Sequence, residues 1–240
     1  MHMKILLISD IHANFPALQA VARYAPPADY DLICNCGDTV VYAPFPNETI
    51  QWLKRHDAIS ILGNTDRKIL QLAKGKQFKK PSKPDKRIMY SWTFDVLTKS
   101  SLRYLKSLHK TNIFQRNGVK IGLFHGSPED PDEFLFHTTA EDRFRALAKK
   151  AKQDIICVGH SHTPFHKQFE GVHFVNPGSV GRMFDGNPAA SFAILEIKKR
   201  KITVSHHRVP WKINKIKKAL RDNNLPEIYI NMYEQGLKLN

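Results

Sequence analysis

Five short stretches of this sequence end an apolar run in residues that bind metal ions. They are Asp10-Ile11-His12, Gly37-Asp38, Gly63-Asn64-Thr65-Asp66, His125-Gly126 and Gly159-His160-Ser161-His162. Together Asp10, His12, Asp38, Asn64, His125, His160 and His162 supply two carboxylates, one amide and four imidazoles. Oxygen and nitrogen donors without a thiolate suit manganese, iron, nickel or zinc. Seven ligands exceed what one tetrahedral ion takes. They suit two ions bridged by one carboxylate, the arrangement for displacement at phosphorus. Most of these stretches alone have an ordinary reading: Gly-Asp and Gly-Asn are common turns, and a lone histidine is more often structural, whereas two histidines one apart after a buried strand are rarely needed for packing. The conjunction carries the inference, because leaving unpaired polar groups at five buried strand ends is costly.

The elements that must position these residues are legible in outline. Ile5-Leu6-Leu7-Ile8 reads as a strand buried on both faces. Asn14 is placed to cap a helix with Pro16 in its first turn, and Leu18, Val21 and Ala22 give that helix an apolar face. Residues 32–36 and 58–62 read as further strands, separated by a Pro-rich loop and a helix capped by Asn47. From Arg67 to about Lys110 the pattern is helical, with no convincing strand, and Leu102, Leu105 and Leu108 mark one face. Residues 74–87 read as a basic loop in this insertion, either a solvated surface segment or a rim that attracts a phosphorylated substrate. Strands resume at 119–124, 155–158 and 172–175, with a helix between the first two opened by a capping box from Thr139 to Asp142. Residues 191–197 and 201–209 form a hairpin about a basic turn, and a tail follows from about 211. Strands alternating with helices predict a mainly parallel inner sheet, whose carboxyl ends gather the five stretches.

The bulk numbers bound the rest. With 42% hydrophobic and 25% charged residues over 240 positions, the chain is expected to be one soluble domain with a sizeable core. No apolar run is long enough to cross a bilayer and no signal-peptide pattern opens the chain, so cytoplasmic residence without membrane contact is expected. Cys34, Cys36 and Cys157 lie in strand-like runs and offer no disulfide framework. The net charge of +15 attracts anions, which keeps nucleic acid among the candidate partners without choosing it. The sequence leaves homo-oligomerisation open.

In this order the motifs resemble the calcineurin-like metallophosphoesterase superfamily, whose pattern is Asp-x-His, Gly-Asp, Gly-Asn-His-Asp/Glu, His, Gly-His-x-His. The resemblance runs from about Lys4 to Ile197. Within it, residues 42–48, His125-Gly126-Ser127-Pro128 and Asn176-Pro177-Gly178-Ser179-Val180-Gly181 are similar to the small bacterial and archaeal phosphodiesterases related to diadenosine tetraphosphatase. The resemblance implies an α/β fold, a four-layer αββα sandwich of two packed sheets flanked by helices, here with the insertion at about 67–112. It implies a dinuclear centre of divalent transition metals, manganese first. Asp10, His12 and His162 would hold one ion, Asn64, His125 and His160 the other, and Asp38 both. Asp38, Asn64, Asp66 and His125 are the residues expected to serve catalysis. The implied reaction is in-line attack by a metal-bound hydroxide on a small phosphodiester or nucleotide. The alternatives are a phosphomonoesterase, including a protein phosphatase, and a non-catalytic adaptor on the same fold. One residue departs from the pattern: Thr65 stands where the family places a histidine that assists the leaving group.

Overall fold

The computed structural model describes residues 2–76 and 81–240. The first strand, β1 (His2–Ile8), shows how this sequence builds layers. Ile5 and Leu7 point into the cluster between two sheets, while Leu6 and Ile8 point the other way into a helix-covered cluster. That is the period-two alternation of a strand with both faces buried. Beside β1 lie β2 (Leu32–Asn35) and β3 (Ile59–Ser60), both parallel to it. The third strand is two residues long, shorter than the run 58–62 predicts. A long hairpin of β9 (Ala190–Lys198) and β10 (Lys201–Val209) adds antiparallel to the other edge of β1. Lys199 and Arg200 both take positive φ in its two-residue turn, which matches the twist of the strands it joins.

The second sheet is built from β4 (Asn112–Arg116), β5 (Val119–Leu123), β6 (Ile155–Cys157), β7 (Phe165–Phe169) and β8 (Val172–Asn176). Its order is β4-β5-β6-β8-β7, with β5, β6 and β8 parallel and the two edges antiparallel. Both sheets are therefore mixed, with parallel centres, rather than mainly parallel. The edge strands β4 and β7 escape the sequence pattern because only one face of each is covered. Between the sheets pack Met3, Ile5, Leu7, Ile121, Leu123 and Val175, with all three cysteines, which are free. Each such aliphatic side chain contributes roughly 1.5–3 kcal/mol by leaving water.

Helices cover both outer faces. On the first sheet lie α1 (Phe15–Tyr24) and α2 (Pro46–Arg55); on the second lies α6 (Glu141–Lys150). Asn14 caps α1 as expected, accepting from the Ala17 N–H at 3.1 Å. Asn47 does not cap α2, which begins one residue before it. It bridges to the next helices instead, donating to the Val96 carbonyl and accepting from the Thr98 N–H. Nor does Thr139 form a capping box: Ala140 occupies the N-cap of α6, and the Thr139 hydroxyl accepts from the Phe136 N–H.

The insertion holds α3 (Asn64–Leu72), α4 (Pro84–Val96) and α5 (Lys99–Ser107). The tail adds α7 (Asn214–Asp222) and α8 (Ile228–Gln235). Tail and insertion share one apolar cluster in which Met89, Tyr90 and Leu105 meet Ile216, Leu220 and Tyr229. Of the basic stretch 74–87, residues 84–87 open α4 rather than belonging to a loop, and 77–80 lie outside the described residues. Among the described residues no helix is long and apolar enough to cross a membrane.

Candidate metal centre

The parallel strands of both sheets end on one side of the molecule, and the five predicted stretches follow them. Asp10 and His12 follow β1, Asp38 follows β2, Asn64 follows β3, His125 follows β5, and His160 and His162 follow β6. The loops are strained. Asp10, His12 and Asp38 all have φ of 51°, His160 has 65° and His162 has 56°. A left-handed conformation in a residue other than glycine costs roughly 1–3 kcal/mol and persists only where the surroundings over-determine it. Here they do. The Asp10 N–H donates to the Gly37 carbonyl at 3.0 Å and the His12 N–H to the Asp38 carbonyl at 2.9 Å. The Asp10 carbonyl accepts from the Ser179 hydroxyl at 2.7 Å. A side chain at Gly63 would place its Cβ 2.1 Å from Asp38 Oδ1, so only glycine lets the β2 and β3 loops approach this closely.

Two groups of ligand atoms result: Asp10, His12 and His162, and Asp38, His125 and His160. In the first, His162 Nε2 lies 3.2 Å from both Asp10 Oδ1 and His12 Nε2. In the second, His125 Nε2 lies 3.5 Å from Asp38 Oδ1. Asp38 reaches across, with Oδ2 3.7 Å from His12 Nε2. Asn64 joins the second group. Its side-chain oxygen faces Asp38 Oδ2 at 3.2 Å and both His125 Nε2 and His160 Nδ1 at 3.0 Å. Acceptor atoms thus converge on one another. Asp10 Oδ1 is buried with no hydrogen-bond partner among the described residues. Such convergence suits a cation at the centre of each group, and the donor set fits two divalent ions.

The surroundings aim and tune these donors. His125 Nδ1 bonds the Cys36 carbonyl at 2.8 Å and His162 Nδ1 bonds the Arg182 carbonyl, which leaves both Nε2 atoms facing inward. Asp10 Oδ2 accepts from the Ser9 hydroxyl at 2.6 Å and the His160 N–H at 3.0 Å. Asp38 Oδ1 accepts from the Thr65 N–H at 2.8 Å. Burial holds His12 down at about 3 and His160 at about 4, so both stay neutral, the form that binds metal. Burial also opposes charge on His125, yet the charge and hydrogen bond of Asp38 hold it up at about 9. Asp38 is itself held well below the carboxylate range: burial raises it, and His125 and His12 more than reverse that.

The structure brings all seven predicted ligands together. Asp66 stands apart from the expected catalytic set. Its carboxylate accepts from the Gly63, Thr39 and Val40 N–H groups at 3.0–3.1 Å, stapling the β2 loop to the start of α3. Burial and the charge on Asp38 push it up to about 7 against those three bonds. Among the described residues its carboxylate belongs to neither ligand group, and its three hydrogen bonds tie the loops together.

The family model of the calcineurin-like phosphoesterase superfamily domain matches residues 3–200. The chain belongs to this superfamily. The uncharacterized protein MJ0912 of Methanocaldococcus jannaschii is 32% identical over 93% of the chain and 94% of its own length. A solved metallophosphoesterase from Sphaerobacter thermophilus is 28% identical with a TM-score of 0.81, covering 99% of this chain and all of that one. Hypothetical protein PH1004 of Pyrococcus horikoshii shares the fold with a TM-score of 0.86 at 19% identity, over 98% and 99% of the two chains. As a calcineurin-like phosphoesterase domain, the sandwich carries its ligand groups on the loops that the superfamily's motif order leads one to expect.

Above the ligands opens a cleft of about 390 Å³. Several of its walls carry no motif in the sequence. Phe134 stacks on His160 with ring centres 3.9 Å apart, and Phe184 stacks on His162 at 4.5 Å. Beneath the cleft, Asn176 of the Asn-Pro-Gly-Ser stretch donates to the Gly159 carbonyl and the Ser161 hydroxyl and so fixes the Gly-His-x-His loop. The available signal was position: Asn176 ends β8 as the ligands end their strands.

Proposed function

We propose that this calcineurin-like phosphoesterase is a metal-dependent phosphodiesterase that hydrolyses small phosphodiesters or nucleotides. The observation that supports it best is the pair of ligand groups meeting at Asp38, at the floor of a cleft whose rim is aromatic. Asp10, His12 and His162 would hold one divalent ion, Asn64, His125 and His160 a second, with Asp38 between them; manganese is the first candidate. Bound there, two such ions supply Lewis acidity and an activated water. The rest falls to the chain. The Cys36 and Arg182 carbonyls keep two imidazoles aimed at the floor. Phe134 and Phe184 narrow the approach and exclude water beside the reacting phosphorus. Thr65 supports the diester reading. Its hydroxyl donates to the Val40 carbonyl at 3.0 Å and its N–H holds Asp38, so this position offers no acid to a leaving alkoxide. Substrates whose leaving groups are stable as anions need no such acid.

The test strips the protein with chelator, restores manganese, nickel or zinc, and compares bis(p-nitrophenyl) phosphate with p-nitrophenyl phosphate. Metal-restored cleavage of the diester with little of the monoester is expected. Bound metal without cleavage of either ester would overturn the enzymatic reading.

A further inference from the structure

One wall of the cleft is cationic. Arg182 is 7% exposed, Lys86 on α4 is half-buried, and Lys238 comes from the tail; all three line the same cleft as His12, Asp38 and His162. Among the described residues, none of the three forms an ion pair with a carboxylate. The Arg182 guanidinium lies 3.9 Å above the Tyr42 ring, and that ring meets His12 edge-on at 5.2 Å. The guanidinium therefore sits one aromatic ring away from the first ligand group. Its Nη2 donates to Asn240 Oδ1 at 3.1 Å, while its Nε is buried with no hydrogen-bond partner among the described residues. A buried donor left unmatched is costly, and a charged one more so. Burial, then the charges of Arg182 and Lys238, bring the Lys86 ammonium down to about 8, which places the three cations in one electrostatic neighbourhood. The rings of Tyr42, Phe184 and Tyr229 lie about the guanidinium, with centres 3.9, 5.2 and 5.5 Å from it. A planar fork held this way suits the oxygens of a phosphate, and two flexible ammonium groups complete the charge.

We propose that Arg182, Lys86 and Lys238 form a subsite for a second phosphate of the substrate, one that stays attached while the phosphodiester at the ligand groups is cut. This rests on the phosphodiesterase reading and narrows its substrate class to diesters, nucleotides among them, that carry a further phosphate. The phosphate in the subsite is not a reactant: water adds at the other phosphorus, that P–O bond breaks, and the subsite phosphate leaves with its product unchanged.

Two arms test it. In the first, chelator-stripped protein is titrated calorimetrically with inorganic pyrophosphate, as wild type and as the Lys86→Ala/Lys238→Ala double variant. Binding without metal, weakened at least tenfold in the double variant, is expected; equal binding in both overturns the subsite. In the second, metal-loaded protein is given thymidine 5′-(p-nitrophenyl phosphate) with and without a 3′-phosphate. At least a tenfold preference in kcat/KM for the 3′-phosphorylated ester is expected, carried by KM and lost in the double variant. Pyrophosphate binding without that preference would mark a site for free anions and overturn the substrate assignment. Arg182→Lys keeps the charge and removes the fork, and should fall between wild type and the double variant in both arms. If no diester is cleaved with any metal, the phosphodiesterase reading fails, while the pyrophosphate arm still reports on the subsite.

Discussion

Two walls of one cleft are built on different principles. The ligand wall consists of backbone-tethered loops at strand ends. Asp10, His12, Asp38, His160 and His162 each hold a left-handed φ; backbone hydrogen bonds pin the first three, and the His160 N–H donates to the Asp10 carboxylate. The facing wall is made of long side chains from α4, the loop after β8 and the tail, held by rings and by Asn240. Holding metal ions demands fixed distances, so strain is tolerated there and offset by the packed sheets beneath. Binding a phosphate demands charge and reach, which lysine and arginine supply. The comparison teaches that the candidate ligands rest on the sandwich itself, while the cationic wall comes from elements docked against it.

The sharpest way to break the comparison is Asp38→Asn. It should lower diesterase activity at least about a thousandfold, because the ions' charge stabilisation is worth several kcal/mol. Metal content by atomic emission should drop below two per chain while the melting curve stays cooperative. A variant keeping two metals and its rate would remove Asp38 from between the two groups. Next comes Asp66→Ala, which strands the N–H groups of Gly63, Thr39 and Val40. A loss of about 3 kcal/mol in urea unfolding is expected, at roughly 1 kcal/mol or more per orphaned buried donor. Wild-type stability would mean that the staple is dispensable.

Thr65→His lies at the seam of the two walls. It should raise the rate on diesters with alkyl leaving groups by about tenfold, the low end of what a positioned acid contributes, and do little for nitrophenyl esters. An equal gain on both would point to altered metal binding instead of proton donation. Smallest is Tyr229→Phe, which removes the hydroxyl to which Asn240 Nδ2 donates at 2.9 Å. Stability should fall by about 1 kcal/mol or less. Metal content should stay at the wild-type value, so that any loss of metal would argue against independence of the walls.

The candidate ligand set was legible because metal chemistry restricts residue types and because each candidate lies just beyond a strand. Polar residues at the end of an apolar run stand out against the strand's own pattern, so Asp10, His12, Asp38, Asn64, His125, His160 and His162 could all be named from sequence. Asp66 shows the limit. Its type and place beside Asn64 suggest catalysis, and no local pattern foretells the three N–H groups that surround its carboxylate. Asn47 and Thr139 show another: both are good capping residues whose side chains found tertiary partners instead. The edge strands β4 and β7 lacked the buried runs that marked the central ones.

By itself, then, the sequence determined the central strands, the order of the ligands and the superfamily, since these depend on neighbours along the chain and on fixed donor chemistry. Only the tertiary structure decided that the tail docks on the insertion, that Tyr42 carries Arg182 above the ligand groups, and that Lys86 and Lys238 face the same cleft. Lys86 and Lys238 lie more than a hundred residues apart, and lysine is ordinary on any surface. That they share one cleft is a property of three-dimensional packing, which no local pattern encodes.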